Sequence, residues 1–357
     1  MLSPLHAEHE KLGALFTDFG GWEMPLRYGN ELDEHRAVRT NVGLFDLSHM
    51  GEVRVTGAEA GRFLDYALIS QLSAIAVGKA KYTMIVNEQG HIIDDLIVYR
   101  LGEAEFMVVP NAGNAATVAA ELVERAKDFD VTVEDESADI ALIAVQGPRA
   151  AEMLGDIPEL KYYSSAPASI LGHDVLLART GYTGEDGFEL FLPASEAPAL
   201  WQALIDAGSS FNLLPCGLAC RDSLRLEAGM PLYGHELTLD LQPADAGLGV
   251  LVSKKKTEDF VGSDVLIADY APARKLVGLQ GEGRRAARAG SVVLSPAGEE
   301  IGVVTSGQLS PTLGYPIAMA YVAVEHATEG NTLDVDIRGK KHTYTVVTLP
   351  FYSRPKD

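Results

Sequence analysis

Cysteine is scarce in this chain, and long apolar runs are absent. Only two of the 357 residues are cysteines, Cys216 and Cys220, which are too few for a disulfide framework. Their spacing puts both side chains on one face of a helix, but a zinc site would need further ligands, and no other Cys or His lies within a few residues. We therefore expect two reduced thiols and no metal. The absence of any apolar run of about 18 residues excludes a membrane-spanning helix.

Basic residues are also in short supply. The chain has 29 Lys and Arg against 50 Asp and Glu, and this net charge of −21 argues against nonspecific nucleic-acid binding. The imbalance is confined to the first 273 residues, which carry −23, whereas the segment from Arg274 to the end carries +2. This shift either predicts a separate C-terminal domain that offers a basic face to an acidic partner, or reflects compositional drift.

The N-terminus lacks both the basic and the apolar region of a secretory signal. With 47% hydrophobic and 22% charged residues, the composition is that of an ordinary soluble globular protein. A length of 357 residues predicts two or three domains. Because the N-terminus does not look like a secretory signal, we expect a cytoplasmic protein.

Hydrophobic periodicity predicts a mixed helix-and-strand region followed by an all-β domain. Helices are predicted over 31–39, 58–68, 114–127, 193–207 and 218–227, and strands over 51–57, 82–86, 92–99, 106–109, 140–146, 175–178 and 187–192. A proline-containing linker follows at 271–274. After it, short apolar runs between Gly, Pro and Ser turns indicate a small sandwich or barrel. The predicted fold is α+β over residues 1–270 and all-β over residues 274–357.

Two adjacent carboxylates, Asp94 and Asp95, stand in an apolar, β-branched segment. Side chains alternate between the faces of a strand, so the two carboxylates must point to opposite sides. Burying an ionised carboxylate without a partner costs on the order of several kcal/mol, so one that faces the interior is usually paired or functional. The alternative is that both aspartates lie at the wet beginning of the strand, after a turn at 87–90.

A glycine-rich segment at 179–189, RTGYTGEDGFE, combines three glycines with two aromatic residues and three carboxylates. Strand alternation turns Glu189 away from its neighbours Phe188 and Leu190. A carboxylate in this position can accept two hydrogen bonds from an amino-pyrimidine edge. The alternative is a glycine-rich hairpin with a solvated glutamate.

Arg221 and Arg225 lie one helical turn apart and can form a basic stripe that suits a carboxylate ligand. The alternative is ion pairing at a surface or between domains.

Two further motifs give weaker evidence of a function. The segment 281–286, GEGRRA, fits a dinucleotide fingerprint, but Gly290 cuts the required helix short. Ser48 and His49 are adjacent in the chain, and adjacent residues rarely align as nucleophile and base.

Taken together, these segments resemble the glycine-cleavage T-protein family, the aminomethyltransferases. The shared motifs run in order along essentially the whole chain: FGGWEMP (19–25), GLFDLSHMGE (43–52), IIDDL (92–96), GYTGE (181–185), RDSLRLE (221–227), TSG (305–307), SPT (310–312) and PFY (350–352). The resemblance implies a three-domain cloverleaf around a central folate site, in which residues 1–270 form two intertwined subdomains and the last domain is the predicted barrel.

The resemblance also implies a reaction and its residues. The aminomethyl group of a lipoyl arm on H-protein is transferred to tetrahydrofolate, giving methylenetetrahydrofolate and ammonia. Asp95 resembles the key carboxylate, which steers protons and charge as a folate nitrogen attacks the aminomethyl carbon. Glu189 is similar to the pterin anchor. Further pocket positions are implied at Met50, Tyr82, Tyr99, Asn111, Tyr182, Arg221 and Tyr352.

Other activities share this fold. Folate-dependent demethylases take a methyl group from sulfur or oxygen donors, and a non-catalytic class binds folate without transfer. The latter has a signature with a cysteine, and the nearest stretch here, MPLYGHE (230–236), lacks it. Sarcosine-oxidising relatives add a flavin domain, for which this chain has no fingerprint. Met230 stands where relatives have an aromatic residue, which puts one stacking contact in doubt.

Overall fold

A computed structural model describes residues 1–355 of the chain. Its helices are α1 (His6–Lys11), α2 (Glu31–Thr40), α3 (Ala60–Ala67), α4 (Ala115–Arg125), α5 (Ala150–Leu154), α6 (Ala197–Gly208), α7 (Leu218–Glu227) and α8 (Ser263–Leu266). Within residues 1–355, no helix is both long enough and apolar enough to cross a membrane.

Within the described residues, the strands form three larger sheets and one hairpin. They are β1 (Leu15–Phe19), β2 (Trp22–Arg27), β3 (Gly43–Asp46), β4 (Val53–Thr56), β5 (Ala80–Val86), β6 (Ile92–Gly102), β7 (Glu105–Pro110), β8 (Thr132–Asp135), β9 (Ile140–Gln146), β10 (Ser165–Ile170), β11 (His173–Ala178), β12 (Gly187–Pro193), β13 (Leu214–Pro215), β14 (Arg274–Gly281), β15 (Val292–Leu294), β16 (Glu300–Leu309), β17 (Pro316–Ala323), β18 (Thr332–Ile337) and β19 (Lys340–Val347). The orders are β1-β2, β5-β6-β7-β4-β8, β10-β11-β12-β9-β3-β13, and a closed barrel β14-β17-β16-β15-β18-β19.

The chain forms two compact units. The first comprises Met1–Ile85, Ile93–Arg221 and Lys255–Val261, and the second comprises Val86–Ile92, Asp222–Lys254 and the residues from Gly262 onwards. The predicted α+β class and the C-terminal barrel are both confirmed by this architecture. The predicted domain limits of 1–270 and 274–357 remain a prediction.

Two cores build the first unit. Helix α3 buries Ala60, Phe63, Leu64 and Ala67, the i, i+3, i+4, i+7 pattern of a helix with one apolar face. These side chains join those of α4 and the five-stranded sheet in one cluster. The six-stranded sheet packs its apolar side chains with those of α5 and α6 in a second cluster. In the second unit, the alternating inward side chains of the barrel strands form the core.

The short segment Lys255–Val261 belongs to the first unit, and one of its lysines, Lys256, binds the end of helix α3. The Lys256 ammonium donates to the carbonyl oxygens of Asp65 and Leu68 at the C-terminal end of α3. The same ammonium lies 4.0 Å from the centre of the Phe260 ring. Burial lowers the pKa of Lys256 to about 7, and in its protonated form it offsets the negative end of the helix dipole and makes a cation–π contact with the ring.

Candidate functional site

Strand β6 carries both adjacent aspartates, and burial alternates along it. Asp94 is fully buried, whereas Asp95 is half-buried. Leu96 and Val98 have the same strand parity as Asp94 and belong to the core behind the five-stranded sheet. The strand therefore turns Asp94 inward and leaves Asp95 on the more open face. The alternative in which both carboxylates lie at a wet strand end is wrong for Asp94.

The side chain of Asn111 contacts both carboxylates. The register of β6 against β7 pairs Leu96 with Pro110, which brings the next residue, Asn111, close to Asp95. Asn111 Nδ2 lies 2.9 Å from Asp94 Oδ1, from Asp95 Oδ1 and from the Asp95 carbonyl oxygen. The two carboxylates leave the strand on opposite sides, yet one amide nitrogen reaches both.

Asp94 receives further hydrogen bonds. The Asn111 backbone N–H donates to Asp94 Oδ2 at 2.8 Å, and Asn114 Nδ2 donates to Asp94 Oδ1 at 2.7 Å. Burial, and then the neighbouring Asp95 carboxylate, raise the pKa of Asp94 to about 7, although the asparagine donors oppose this shift. Asp94 therefore changes its charge in the neutral pH range.

Tyr82 completes the hydrogen bonding of Asp95. Its hydroxyl donates to Asp95 Oδ2 at 2.9 Å, so each oxygen of this carboxylate has a donor. Burial, and then the negative charge of Asp95, raise the pKa of Tyr82 well above its usual value. The phenol therefore keeps its proton and acts as a donor.

Glu189 lies on β12 with one oxygen occupied and the other available. The strand buries both faces: Phe188 and Leu190 join the apolar core, and Glu189 points the other way, as alternation predicts. Thr180 Oγ1 donates to Glu189 Oε2, and the Tyr99 hydroxyl donates to the same oxygen at 3.2 Å. Burial raises the pKa of Glu189, while Thr180, Tyr99 and the Arg221 charge oppose the rise. The predicted alternative of a solvated glutamate is wrong.

The glycines of the 179–189 segment make room for Gln146. A Cβ on Gly181 would lie 2.1 Å from Gln146 Oε1, and one on Gly187 would lie 2.6 Å from Gln146 Nε2. Gln146 Nε2 donates to the Thr180 carbonyl at 3.1 Å, and its Oε1 accepts from Thr183 Oγ1 at 2.9 Å. The buried amide therefore fixes the loop that carries Thr180, the donor to Glu189.

Arg221 and Tyr182 stack beside Glu189. The guanidinium carbon lies 4.6 Å from the centre of the Tyr182 ring, a cation–π contact. A cavity of about 10 Å³ is lined by Arg221, Tyr182 and Glu189, with Phe45 and Leu47 on its apolar side. Ligand pockets usually have volumes of about 300–1,000 Å³, so a ring ligand enters only if these side chains move apart.

Tyr163 combines an unusual backbone conformation with a phenol whose pKa is raised. Its φ of 59° is left-handed, which is uncommon for a bulky residue. Burial, and then Tyr162, Glu189 and Asp95, raise the pKa of its phenol. The two carboxylates lie in one region of the first unit, because Tyr99 has the same strand parity as Asp95 on β6 and donates its hydroxyl to Glu189 at 3.2 Å.

His49 precedes Met50 and is buried without a hydrogen-bond partner on either ring nitrogen. Burial, and then the positive charge of Arg221, lower the pKa of His49 to about 3, so the imidazole is neutral at physiological pH. Phe19 packs edge-on against it, with ring centres 5.4 Å apart. Ser48 Oγ lies near the Leu142 backbone, so the Ser48–His49 pair does not form a nucleophile and base.

Two predicted positions belong to the second unit. Tyr352 is half-buried, and its backbone N–H donates to the Glu227 carbonyl at 2.8 Å. Arg225 is buried and pairs with buried Glu236 at 2.9 Å, while its Nη2 donates to Ser306 Oγ at 2.8 Å. Arg225 is therefore committed to a structural ion pair, and Arg221 is the member of the predicted basic stripe that lines the cavity beside Glu189.

Sequence reasoning missed several residues that build this region. They are Phe45, Leu47, Gln146, Tyr163, Thr180 and Asn114. Gln146 carries a usable signal, because it is the one polar residue at the end of the apolar run of β9. In the part of the chain that the structure describes, no cluster of three or more His, Cys, Asp or Glu side chains could hold a metal ion.

A larger cavity of about 240 Å³ lies elsewhere in the first unit. Several of its charged lining residues already have partners: Arg62 pairs with Glu258 at 2.9 Å, and Asp65 accepts from the Ser73 backbone N–H at 3.0 Å. We therefore assign the ligand site to the region around Asp95 and Glu189.

Comparison with known proteins gives one consistent result. The family model described as the GCVT N-terminal domain matches residues 5–256, and the one described as the glycine cleavage T-protein C-terminal barrel domain matches residues 274–353. An aminomethyltransferase of Corynebacterium jeikeium is 55% identical over an alignment of 381 positions, which covers 99% of this chain and 98% of that protein.

Two further comparisons agree. An aminomethyltransferase of Saccharopolyspora erythraea is 57% identical over 359 residues, with 99% of this chain and 98% of that protein covered. The crystal structure of glycine cleavage system aminomethyltransferase T from Bartonella henselae superposes with a TM-score of 0.93 at 42% identity, and covers 99% of this chain and 98% of its own.

Proposed function

The chain belongs to the glycine cleavage T-protein family, and we propose that it catalyses the aminomethyl transfer after which its relatives are named. In this reaction the aminomethyl carbon exchanges its bonds to a lipoyl sulfur and an amino nitrogen for bonds to two nitrogens of tetrahydrofolate. The two protons displaced from folate end on ammonia and on the thiol. The observation that carries the proposal is the 55–57% identity to aminomethyltransferases over 99% of the chain.

We assign the pterin anchor to Glu189. A pterin presents adjacent amino and imino N–H groups, and a carboxylate accepts from both. Tyr99 and Thr180 both bind Oε2, so Oε1 keeps its capacity for a ligand donor. The planar Arg221–Tyr182 stack and the apolar Phe45 suit the face of a ring ligand. The residues therefore fit a reduced folate in polarity, and the side chains that line the small cavity must move apart to admit its ring.

We assign to Asp95 the stabilisation of positive charge and the acceptance of a proton during the transfer. Tyr82 and Asn111 fix its two oxygens, so the carboxylate is oriented before substrate arrives. A carboxylate in this position stabilises the positive charge that develops when a folate nitrogen attacks the aminomethyl carbon. It also accepts the proton that this nitrogen loses.

The remaining predicted residues have less direct roles in this proposal. Tyr99 acts on the ligand through Glu189, because it is buried and donates to that carboxylate. Met50 and Tyr182 are half-exposed and supply wall contacts. Tyr352 stays proposed as a folate contact on the family resemblance alone.

The proposed donor is the lipoyl arm of H-protein. The excess positive charge after Arg274 agrees with an acidic protein partner, since complementary charge speeds encounter. Cys216 and Cys220 are buried thiols in the reduced state, in agreement with the reducing cytoplasm that we propose as the location.

The decisive experiment compares Asp95→Asn with wild type. Methylenetetrahydrofolate is measured with aminomethyl-loaded H-protein, and 5-methyltetrahydrofolate binding is measured separately. We expect a loss of about 10²–10⁴-fold in turnover, the usual worth of a positioned acid or base, with binding retained. Asp174→Asn, an exposed aspartate on β11, is the matched control and should behave as wild type.

Other results would redirect the assignment. Unchanged turnover in Asp95→Asn contradicts the role of this carboxylate. Accumulation of 5-methyltetrahydrofolate with sulfur- or oxygen-methyl donors indicates a demethylase. Folate binding without turnover on any donor indicates the non-catalytic class.

A further inference from the structure

Asp94, the buried neighbour of Asp95, has no role in the transfer proposed above. It is fully buried, and its hydrogen bonds come from two neutral side chains and one backbone group, all of Asn111 and Asn114. Of these two residues, Asn111 also reaches Asp95. Asp94 is therefore connected to the reacting carboxylate through a single amide.

The orientation of that amide has a chemical consequence. An asparagine side chain ends in a donor nitrogen and an acceptor oxygen of nearly the same size. With Nδ2 facing the acids, the two N–H groups serve Asp94 Oδ1 on one side and the Asp95 oxygens on the other. Turned by half a rotation, Asn111 would press its own oxygen against carboxylate oxygens, which is repulsive.

We propose that Asp94 is a positioning residue for the transfer: by holding Asn111, it keeps a hydrogen-bond donor, rather than an acceptor, against the reacting carboxylate of Asp95. This inference rests on the role proposed above for Asp95. A donor at Asp95 Oδ1 favours the ionised carboxylate, which is the form that stabilises developing positive charge.

The hold on Asn111 depends on the charge of Asp94. All three bonds to Asp94 are made by donors, so they match the ionised carboxylate, and a proton on Asp94 would displace one of them. The titratable group that faces Asp94 is Asp95; Asn111 and Asn114 are neutral, and Tyr82 faces Asp95 with its proton in place. The pKa of Asp94 of about 7 puts this change in the assayable range.

The first test is the pH profile of turnover. The turnover rate of wild type should rise with pH and have an inflection near pH 7, because Asp94 ionises there and then holds the Asn111 amide. Asp94→Asn should remove this inflection and lower the rate above it by about tenfold, the effect of losing one hydrogen bond to a charged group. A purely structural role for Asp94 would instead lower the rate by one factor at every pH, and that result would overturn the inference.

A second variant covers the case in which Asp94→Asn does not fold. Asn114→Ala removes one donor from Asp94 and leaves the hydrogen bonds of Asn111 with both acids in place. Because that donor stabilises ionised Asp94, its loss should move the inflection to higher pH. An inflection that stays in place in Asn114→Ala contradicts the proposal.

A third readout does not use activity. In protein labelled with carboxyl-¹³C aspartate, the Asp94 resonance should titrate near pH 7 in wild type and at higher pH in Asn114→Ala. Titration near pH 4 overturns the inference even in an inactive preparation. Loss of turnover in Asp95→Asn together with uniform scaling in Asp94→Asn rejects only the inference, whereas full turnover in Asp95→Asn rejects the proposed function.

Discussion

Replacing Glu189 with Gln tests the proposed folate anchor at a single atom. The substitution keeps the size and shape of the side chain but removes its charge. Tyr99 and Thr180 both need an acceptor, so the new amide should turn its oxygen towards them, in the place of Oε2. The amide nitrogen then occupies the place of Oε1 and presents donors to the ligand's own N–H groups.

The magnitude follows from this exchange. At least one hydrogen bond between the ligand and a charged acceptor is lost, and such a bond is worth about 1.5–3 kcal/mol. Since about 1.4 kcal/mol is a factor of ten in affinity, we expect Kd for a reduced folate to rise by about 10- to 100-fold. The buried position of Glu189 limits screening by solvent, so the upper half of this range is expected.

Calorimetric titration with 5-methyltetrahydrofolate measures this change without turnover. Glu159→Gln, an exposed glutamate, is the matched control and should bind as wild type. Burial raises the pKa of Glu189, so in wild type the affinity should fall on acidification at a higher pH than an ordinary glutamate would cause. A Kd for Glu189→Gln within about twofold of wild type, with no such pH dependence in wild type, would refute the anchor.

Two further predictions concern stability. Arg225→Met should lower the free energy of unfolding by about 3–5 kcal/mol in urea, because it leaves buried Glu236 unpaired; Asp222→Asn, at an exposed partner of Arg225, should cost under about 1 kcal/mol, and equal losses would contradict this account. Glu52 is buried with neither oxygen hydrogen-bonded, and burial, then Asp135 and Glu136, raise its pKa. The free-energy cost of burying the Glu52 carboxyl is absent below its unfolded-state pKa and grows as pH rises towards its folded-state pKa. Glu52→Met should therefore stabilise the protein by about 1–3 kcal/mol at pH 8 and by less at pH 5. A gain independent of pH would show that ionisation is not the cause.

Local patterns predicted the regular elements well. The barrel strands and the helix of 218–227 follow from apolar spacing and turn residues alone. The hairpin β1–β2 was missed, although its turn is signalled by two adjacent glycines, Gly20 and Gly21, both with positive φ. Such a pair suits a two-residue hairpin turn, whose backbone other residues rarely adopt. The return of Lys255–Val261 to the first unit depends on long-range contacts that no local pattern encodes.

The site was predicted in part. Alternation required Asp94 and Asp95 to face opposite ways, but only the placement of β6 in its sheet decides that Asp94 is the buried one. The bridge through Asn111 follows from the cross-strand register, which brings together residues 16 positions apart. The basic pair of Arg221 and Arg225 could not be separated by helical spacing, because the partner of Arg225, Glu236, comes from a segment without regular structure.

The lysine that closes helix α3 limits how the chain can be divided. A fragment cut at residue 256, where the match to the N-terminal family model ends, keeps the ammonium but loses the Phe260 ring that covers it. A nascent chain likewise cannot complete this helix end until residue 256 has emerged, long after α3 itself is made. Any separately expressed version of the first unit should therefore extend through Val261. During synthesis, the first unit cannot complete its folding until this segment has left the ribosome.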